Sequence, residues 1–175
     1  ESIGIVGKSG CGKSTLCKAL MGLIPIRGGR IKINGIEVLN LTSKDYQKSK
    51  KQMQMVFQDP LASLNPQMTV GETIADPFLI HRICNKSKAK ELTLKLLQEV
   101  GLNPPEQFKN RLPHQLSGGQ QQRVGIARAI ALNPKILICD ESVSMLDPEI
   151  QTEILILLKK LQRNLKAGVL FITHD

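Results

Sequence analysis

Tryptophan is absent, and aromatic residues make up 3% of the 175 positions, one Tyr and four Phe. A surface that stacks successive nucleobases is poorly supplied, so nucleic acid is not an expected partner. Apolar stretches such as Ile136–Cys139 and Ile154–Leu158 are far too short to cross a bilayer. No charged-then-apolar leader opens the chain, so a secretion signal is not expected. The four cysteines, Cys11, Cys17, Cys84 and Cys139, form no C-x-x-C pair. That argues against a thiolate metal site or a disulfide framework and favours a reducing cytosol. Acids are the minority, 15 against 24 Lys and Arg, for a net charge of +9. The lysines are scattered or lie on helix surfaces, as in Lys44, Lys48, Lys50 and Lys51, and read as a solvated surface. There is no initial Met. The chain opens on Glu1 beside one strand-like run and ends on Asp175 after another, so it is expected to be a piece of a longer protein. Its apolar fraction of 41% suits one compact core with room for a small subdomain.

What is present is an alternation of strands and helices. Ser2–Val6 (SIGIV) reads as a buried strand, followed by a glycine-rich turn and a helix over Ser14–Leu23 that closes near Pro25. Ile31–Val38 holds Asn34-Gly35, a hairpin signal between two short strands. Met53–Phe57 is another strand. From Val70 to Leu132 the pattern turns helical. In Ala89–Gly101, Ala89, Leu92, Leu96 and Val100 share one face, and Gly101 offers the stop. After Asn133-Pro134 the strand–helix pattern returns. Ile136–Cys139 is continuously apolar, as in the centre of a parallel sheet. Glu149–Lys166 is a helix with Ile150, Ile154, Leu157, Leu161 and Leu165 on one stripe, and Val169–Thr173 is the next strand. The pattern predicts one α/β domain without internal repeats. Its core covers about 1–69 and 134–175, interrupted by a helical subdomain over about 70–133.

Gly7-Lys8-Ser9-Gly10-Cys11-Gly12-Lys13-Ser14 fits G-x-x-x-x-G-K-[ST] between a strand and a helix, where a phosphate-binding loop must lie. Backbone N–H groups have to converge on phosphate oxygens, which favours residues without Cβ, and the helix beginning near Ser14 adds its positive end. Lys13 is expected on the β- and γ-phosphates, the Ser14 hydroxyl on Mg²⁺, and Thr15 on the α-phosphate. Cys11 is either a thiol activated by the helix terminus or a tolerated small residue. The Ile136–Cys139 strand ends in Asp140-Glu141, at the edge where such sheets bind ligands. Asp140 suits the Mg²⁺ shell, and Glu141 can turn towards an attacking water as general base. Two acids beside a triphosphate require a cation.

A second phosphate-type element follows. The run from Val124 through Ile126, Ala127, Ala129, Ile130, Ala131 to Leu132 is apolar all round, so that helix is expected to be buried. Its tip, Ser117-Gly118-Gly119-Gln120, presents a hydroxyl and backbone N–H groups. One cradle already exists at residues 7–14. The tip is therefore expected to bind nucleotide held by a second subunit, two chains burying two ATPs head-to-tail.

Leu116-Ser117-Gly118-Gly119-Gln120 resembles the signature of ABC-type ATPases. With it come the phosphate loop, Gln58 after a strand, Asp140-Glu141, Ser144-Met145-Leu146-Asp147 and His174 after the last strand, in the family's order over nearly the whole chain. The resemblance implies a P-loop NTPase (RecA-like) core sheet with helices on both faces plus an inserted α-helical subdomain. It also implies that the signature faces a partner's γ-phosphate. Gln58 would contact Mg²⁺ and the attacking water, Asp147 the partner subunit, and His174 the γ-phosphate. Where family members commonly have Pro and Ala, this chain has Ser142 and Met145, a departure beside Glu141.

The stretch from Asp59 to Val70, with Leu112-Pro113-His114-Gln115, resembles ATPase subunits of oligopeptide, dipeptide and nickel importers. Pro60 and Pro66 would stiffen a loop that receives a membrane subunit. The implied function is ATP binding and hydrolysis that powers a membrane importer of peptides. The implied partners are a second ATPase subunit, identical or different, the permease subunits and, indirectly, an extracytoplasmic substrate-binding protein. The implied place is the cytoplasmic face of the inner membrane. Alternatives are a nickel importer, a soluble ABC ATPase uncoupled from any permease, and a non-hydrolysing module in an asymmetric dimer.

Overall fold

The computed structural model describes residues 1–8, 10–33, 35–37 and 49–173. Four parallel strands form the main sheet in the order β1 (Ser2–Val6), β6 (Gly168–Thr173), β5 (Ile136–Asp140), β4 (Met53–Val56). β5 is the most deeply placed. Leu137 and Cys139 face one apolar cluster and Ile138 the other, all three essentially without exposure. That two-sided burial is why the strand reads as an unbroken apolar run. Helices α6 (Gly118–Ile130) and α7 (Pro148–Leu165) pack on the first cluster. Cys17 of helix α1 (Lys13–Leu20) and Ile33 join the second. The sheet therefore has helices on both faces, as expected.

β1 departs from its expected burial. Among the described residues it pairs only with β6, and Ile3 and Val6 are 56% and 68% exposed. Its apolar composition signals a strand but not its place at the sheet's edge. The hairpin forms as expected: β2 (Lys32–Ile33) and β3 (Ile36–Glu37) pair antiparallel, with Gly35 at φ 80°. Asn34 and Val38 lie outside the described residues. α1 ends three residues before the expected stop. Gly22, at φ 62°, donates its N–H to Ala19 and Leu23 donates to Lys18, which closes the helix before Pro25 is reached.

Between β4 and β5 the chain is helical: α2 (Pro60–Ser63), α3 (Val70–Ile80), α4 (Lys86–Glu99), α5 (Pro105–Phe108) and α6. The inserted helical subdomain lies within this stretch. Pro60 sits at the start of α2, capped by Asp59, whose carboxylate accepts from the Ala62 N–H at 3.0 Å. The expected stiff loop is thus in part a helical turn. α3 opens with a capping box: Thr69 Oγ1 accepts from the Glu72 N–H, and Glu72 accepts from the Thr69 N–H. Along α4 Ala89 and Val100 are buried as expected, but between them the buried positions are Thr93 and Leu97, which leaves Leu92 and Leu96 half-buried. Only the middle of the face is shifted by one position, and it includes a polar residue, Thr93, which a hydrophobic count passes over.

Gly71 marks a close backbone approach. Val70 and Gly71 donate to the carbonyls of Arg111 and Lys109 at 2.9 and 2.8 Å, which satisfies the first turn of α3. A Cβ at 71 would lie 2.9 Å from the Lys109 carbonyl oxygen. Gly71→Ala in the full-length protein is expected to destabilise the fold by about 1–3 kcal/mol through overpacking. The readout is a lower urea midpoint at unchanged slope.

Candidate nucleotide site

Three strands end at one crest. β1 leads into residues 7–12, β5 ends in Asp140 and passes to Glu141, and β4 leads through Phe57 to Gln58. The parallel arrangement places the C-terminal ends of all three together, so residues distant in sequence meet. Ser14 donates its hydroxyl to Asp140 Oδ1 at 3.0 Å. Gln58 donates Nε2–H to Glu141 Oε2 at 3.0 Å. Lys13 Nζ lies 3.9 Å from Glu141 Oε1. The expected lysine, serine, glutamine and two acids thus form one connected constellation beside a cleft of about 670 Å³, lined among others by Ser14, Gln58, Arg128 and Asp140.

The loop is built as its residue types demand. Gly12 takes φ 98° immediately before α1, a conformation that side chains with Cβ resist. Gly7 answers a different need: a Cβ there would stand 3.0 Å from Cys11 Sγ. Lys13 is 8% exposed and folds back, donating to the carbonyls of Gly7 at 2.6 Å and Lys8 at 3.0 Å. An ammonium so placed is held by its own loop until an anion offers stronger acceptors. Gly10, Cys11 and Thr15 are exposed on the loop and the first helical turn, and Ser9 lies outside the described residues.

The oxygen donors fit a hard cation that retains water and phosphate ligands. The Ser14 hydroxyl and the Asp140 carboxylate converge at the foot of the loop. Among the described residues no three His, Cys, Asp or Glu side chains form a protein-only metal cage. Nearby thiols are quiet. Burial, and secondarily the Asp140 charge, pushes Cys17 up to about 11, and burial pushes Cys139 up to about 12. All four cysteines are free.

The tip at residues 117–120 is elsewhere. It rests on the segment after Glu141: a Cβ on Gly118 would lie 3.4 Å from Leu146 Cδ2, and one on Gly119 would lie 2.7 Å from Ile150 Cγ2. Ser117 is exposed, and its oxygen accepts from the Gln120 N–H while Gln120 Oε1 accepts from the Ser117 N–H. This capping box leaves the serine proton as a donor and commits the Gln120 side-chain carbonyl to the Ser117 N–H. α6 is buried all round, as expected, with Val124, Ile126 and Ala127 at 0% exposure. Asp147 stands exposed at the start of α7 without a capping bond, and Met145 is 61% exposed. His174 lies outside the described residues.

Four polar residues of α6 were not singled out from the sequence. Gln121 Nε2 donates to the carbonyls of Pro113 and Leu116. Gln122 Nε2 donates to the Ser142 carbonyl. Arg123 bridges the Val100 carbonyl and Glu153. Arg128 donates to the Ser63 carbonyl. The available signal was their presence on a helix otherwise apolar all round, since buried polar groups require partners.

The description "ABC transporter" belongs to the family model that matches residues 1–144. The chain is 46% identical over 176 residues to the oligopeptide transport ATP-binding protein OppF of Haemophilus influenzae, covering 100% of this chain and 52% of that protein. It is 47% identical over 176 residues to the putative oligopeptide transport ATP-binding protein YkfD of Bacillus subtilis, covering 100% and 53%. Among solved structures it matches the ATP-binding cassette MJ0796, described as a dimer in a post-hydrolysis state bound to ADP and Pi. There the TM-score is 0.86 at 34% identity, covering 100% of this chain and 75% of that one. The chain spans about half the length of the curated relatives it matches.

Proposed function

The chain belongs to the ABC transporter family, and we propose that it is the nucleotide-binding part of a subunit that binds and hydrolyses ATP to drive a membrane importer of peptides. The observation that carries this reading is the convergence of Lys13, Ser14, Gln58, Asp140 and Glu141 at one sheet edge. The names of the relatives, oligopeptide transport ATP-binding proteins, support the cargo class.

In this reading the backbone of residues 7–14 cradles the phosphates, and Thr15 meets the α-phosphate. Lys13 leaves the Gly7 and Lys8 carbonyls for the β- and γ-oxygens. Ser14, Asp140 and Gln58 would hold Mg²⁺, which would supply positive charge to offset that of the phosphates. Glu141 accepts a proton from the attacking water, held in place by Gln58 at 3.0 Å. His174 hydrogen-bonds the γ-phosphate. Ser117, Gly118, Gly119 and Gln120 meet the nucleotide of a second ATPase subunit, and Asp147 touches that subunit. Each triphosphate bridges two chains, so ATP favours the closed dimer by its differential affinity for that state. The domain boundaries near residues 69/70 and 133/134 then separate the phosphate-binding core from the arm that carries the signature tip.

Among the described residues no helix is long and apolar enough to cross a membrane. The translocation path in this reading belongs to permease subunits, with this subunit on their cytoplasmic side and a substrate-binding protein on the other. The test is the full-length protein reconstituted with its permease in vesicles. Peptide-loaded binding protein is expected to stimulate ATP hydrolysis. Stimulation by nickel alone would reassign the cargo, and hydrolysis indifferent to the permease would point to a soluble ATPase.

A further inference from the structure

Gln122 is 1% exposed, on a helix whose next residues are Arg123 and the fully buried Val124. An amide so placed is costly unless bonded. Its Nε2 donates to the Ser142 carbonyl at 2.6 Å, across twenty residues of sequence. Ser142 directly follows Glu141, which stands at φ 41°. A left-handed glutamate is strained, and such strain persists only where the surroundings over-determine it.

The holding bonds can be named. Glu141 donates its N–H to the Ile172 carbonyl at 3.0 Å, and its own carbonyl accepts from Ser144 N–H at 3.0 Å and Ser144 Oγ at 2.9 Å. Those bonds come from β6 and from the turn itself. The bond from Gln122 comes from α6, whose first turn also rests on Leu146 and Ile150 of the same segment.

We propose that Gln122 is a positioning residue for Glu141: its bond to Ser142 fixes the turn that aims the carboxylate and ties it to the helix bearing the signature tip. This rests on the proposed function. In the dimer, α6 of one subunit touches the partner's nucleotide at its tip and the subunit's own Glu141 turn one helical turn later. Hydrolysis at one site then depends on engagement at the other through this buried amide, beside the packing of the first turn of α6 on Leu146 and Ile150.

The test uses the full-length protein with its partner ATPase subunit. Gln122→Met keeps length and volume but has no donor. It is expected to lower kcat about 30-fold, about 2 kcal/mol at 1.36 kcal/mol per decade. ATP affinity should stay within about twofold, and ATP-dependent dimerisation should persist. Gln122→Glu separates positioning from mere packing and serves if the methionine variant misfolds. When protonated its carboxyl donates to the Ser142 carbonyl, and when ionised it repels it. Burial raises such a carboxyl's pKa. Its kcat relative to the parent is therefore expected to recover as pH falls from about 9 to about 6. The proposal is overturned if Gln122→Met keeps kcat within about threefold, or if Gln122→Glu shows a parent-shaped pH profile. A parent protein that neither hydrolyses ATP nor dimerises with it would instead sink the proposed function, a result visible without any Gln122 variant.

Discussion

Glu141→Gln is expected to cut ATP hydrolysis by about a thousandfold or more while ATP still binds and holds two subunits together. The size follows from the role. General-base contributions run to about 10²–10⁴ in rate, and glutamine preserves the shape of the side chain while removing its basicity. The surroundings tolerate the change. Glu141 Oε2 accepts from Gln58 Nε2, and the other oxygen stands 3.9 Å from Lys13. An amide offers one oxygen to these donors, so the turn keeps its place. The change also removes a negative charge from a site that must receive a triphosphate, which lowers the repulsion ATP meets on entry. With the γ-phosphate uncleaved, the contacts it makes to both subunits persist and the closed dimer accumulates. Light scattering of the full-length variant with ATP and Mg²⁺ should report dimers, and phosphate release should be near background. Hydrolysis at the parental rate would remove Glu141 from its assigned role. Monomers only, under those conditions, would remove the shared-nucleotide arrangement.

The parts of this site that were legible in the sequence are those whose chemistry demands fixed residue types at contiguous spacing. Residues 7–14 announce a phosphate loop because glycines, a lysine and a hydroxyl are needed within one turn. Asp140-Glu141 announces itself because an apolar strand can end in two acids only at a solvated or functional edge. The described structure joins the two through Ser14 and Asp140 at 3.0 Å, and joins Glu141 to Gln58 at 3.0 Å. What spacing could not supply was anything set by distant neighbours. The exposed edge of β1 depends on pairing partners, not on the SIGIV composition. On α4 the ends of the expected face, Ala89 and Val100, are buried, but in its middle Thr93 and Leu97 take the places of Leu92 and Leu96. The three glutamines after Gly119 look alike in the sequence and act differently. Gln120 caps its own helix, Gln121 secures the turn before it, and Gln122 reaches the loop after Glu141. Each assignment is a matter of which carbonyl the fold brings within reach.

Lys13→Ala is expected to weaken ATP binding by at least about a hundredfold. Hydrogen bonds to charged groups contribute about 1.5–3 kcal/mol each, so losing two to phosphate oxygens costs about 3 kcal/mol or more, two decades in affinity. The lysine's present contacts sharpen the argument. Its Nζ donates to the Gly7 and Lys8 carbonyls at 2.6 and 3.0 Å, so the cation already sits inside the loop and needs only to exchange acceptors. Because it is 8% exposed, little hydration remains to be removed when a phosphate arrives. Alanine removes the charge and leaves two loop carbonyls without that donor, yet both can turn to water at the open end of the cleft, so the fold should survive. Lys13→Arg is not a rescue: a planar guanidinium does not fit the space of a compact ammonium between two carbonyls. Titration calorimetry of the full-length variants with ATP and Mg²⁺ reads the effect directly, and unchanged affinity would argue against the cradle. The two substitutions also act with opposite sign on association. Glu141→Gln accumulates ATP-bound dimers, whereas Lys13→Ala prevents ATP from forming them at nucleotide concentrations that saturate the parent. Observing that opposition in one protein would separate loss of the nucleotide from loss of its hydrolysis.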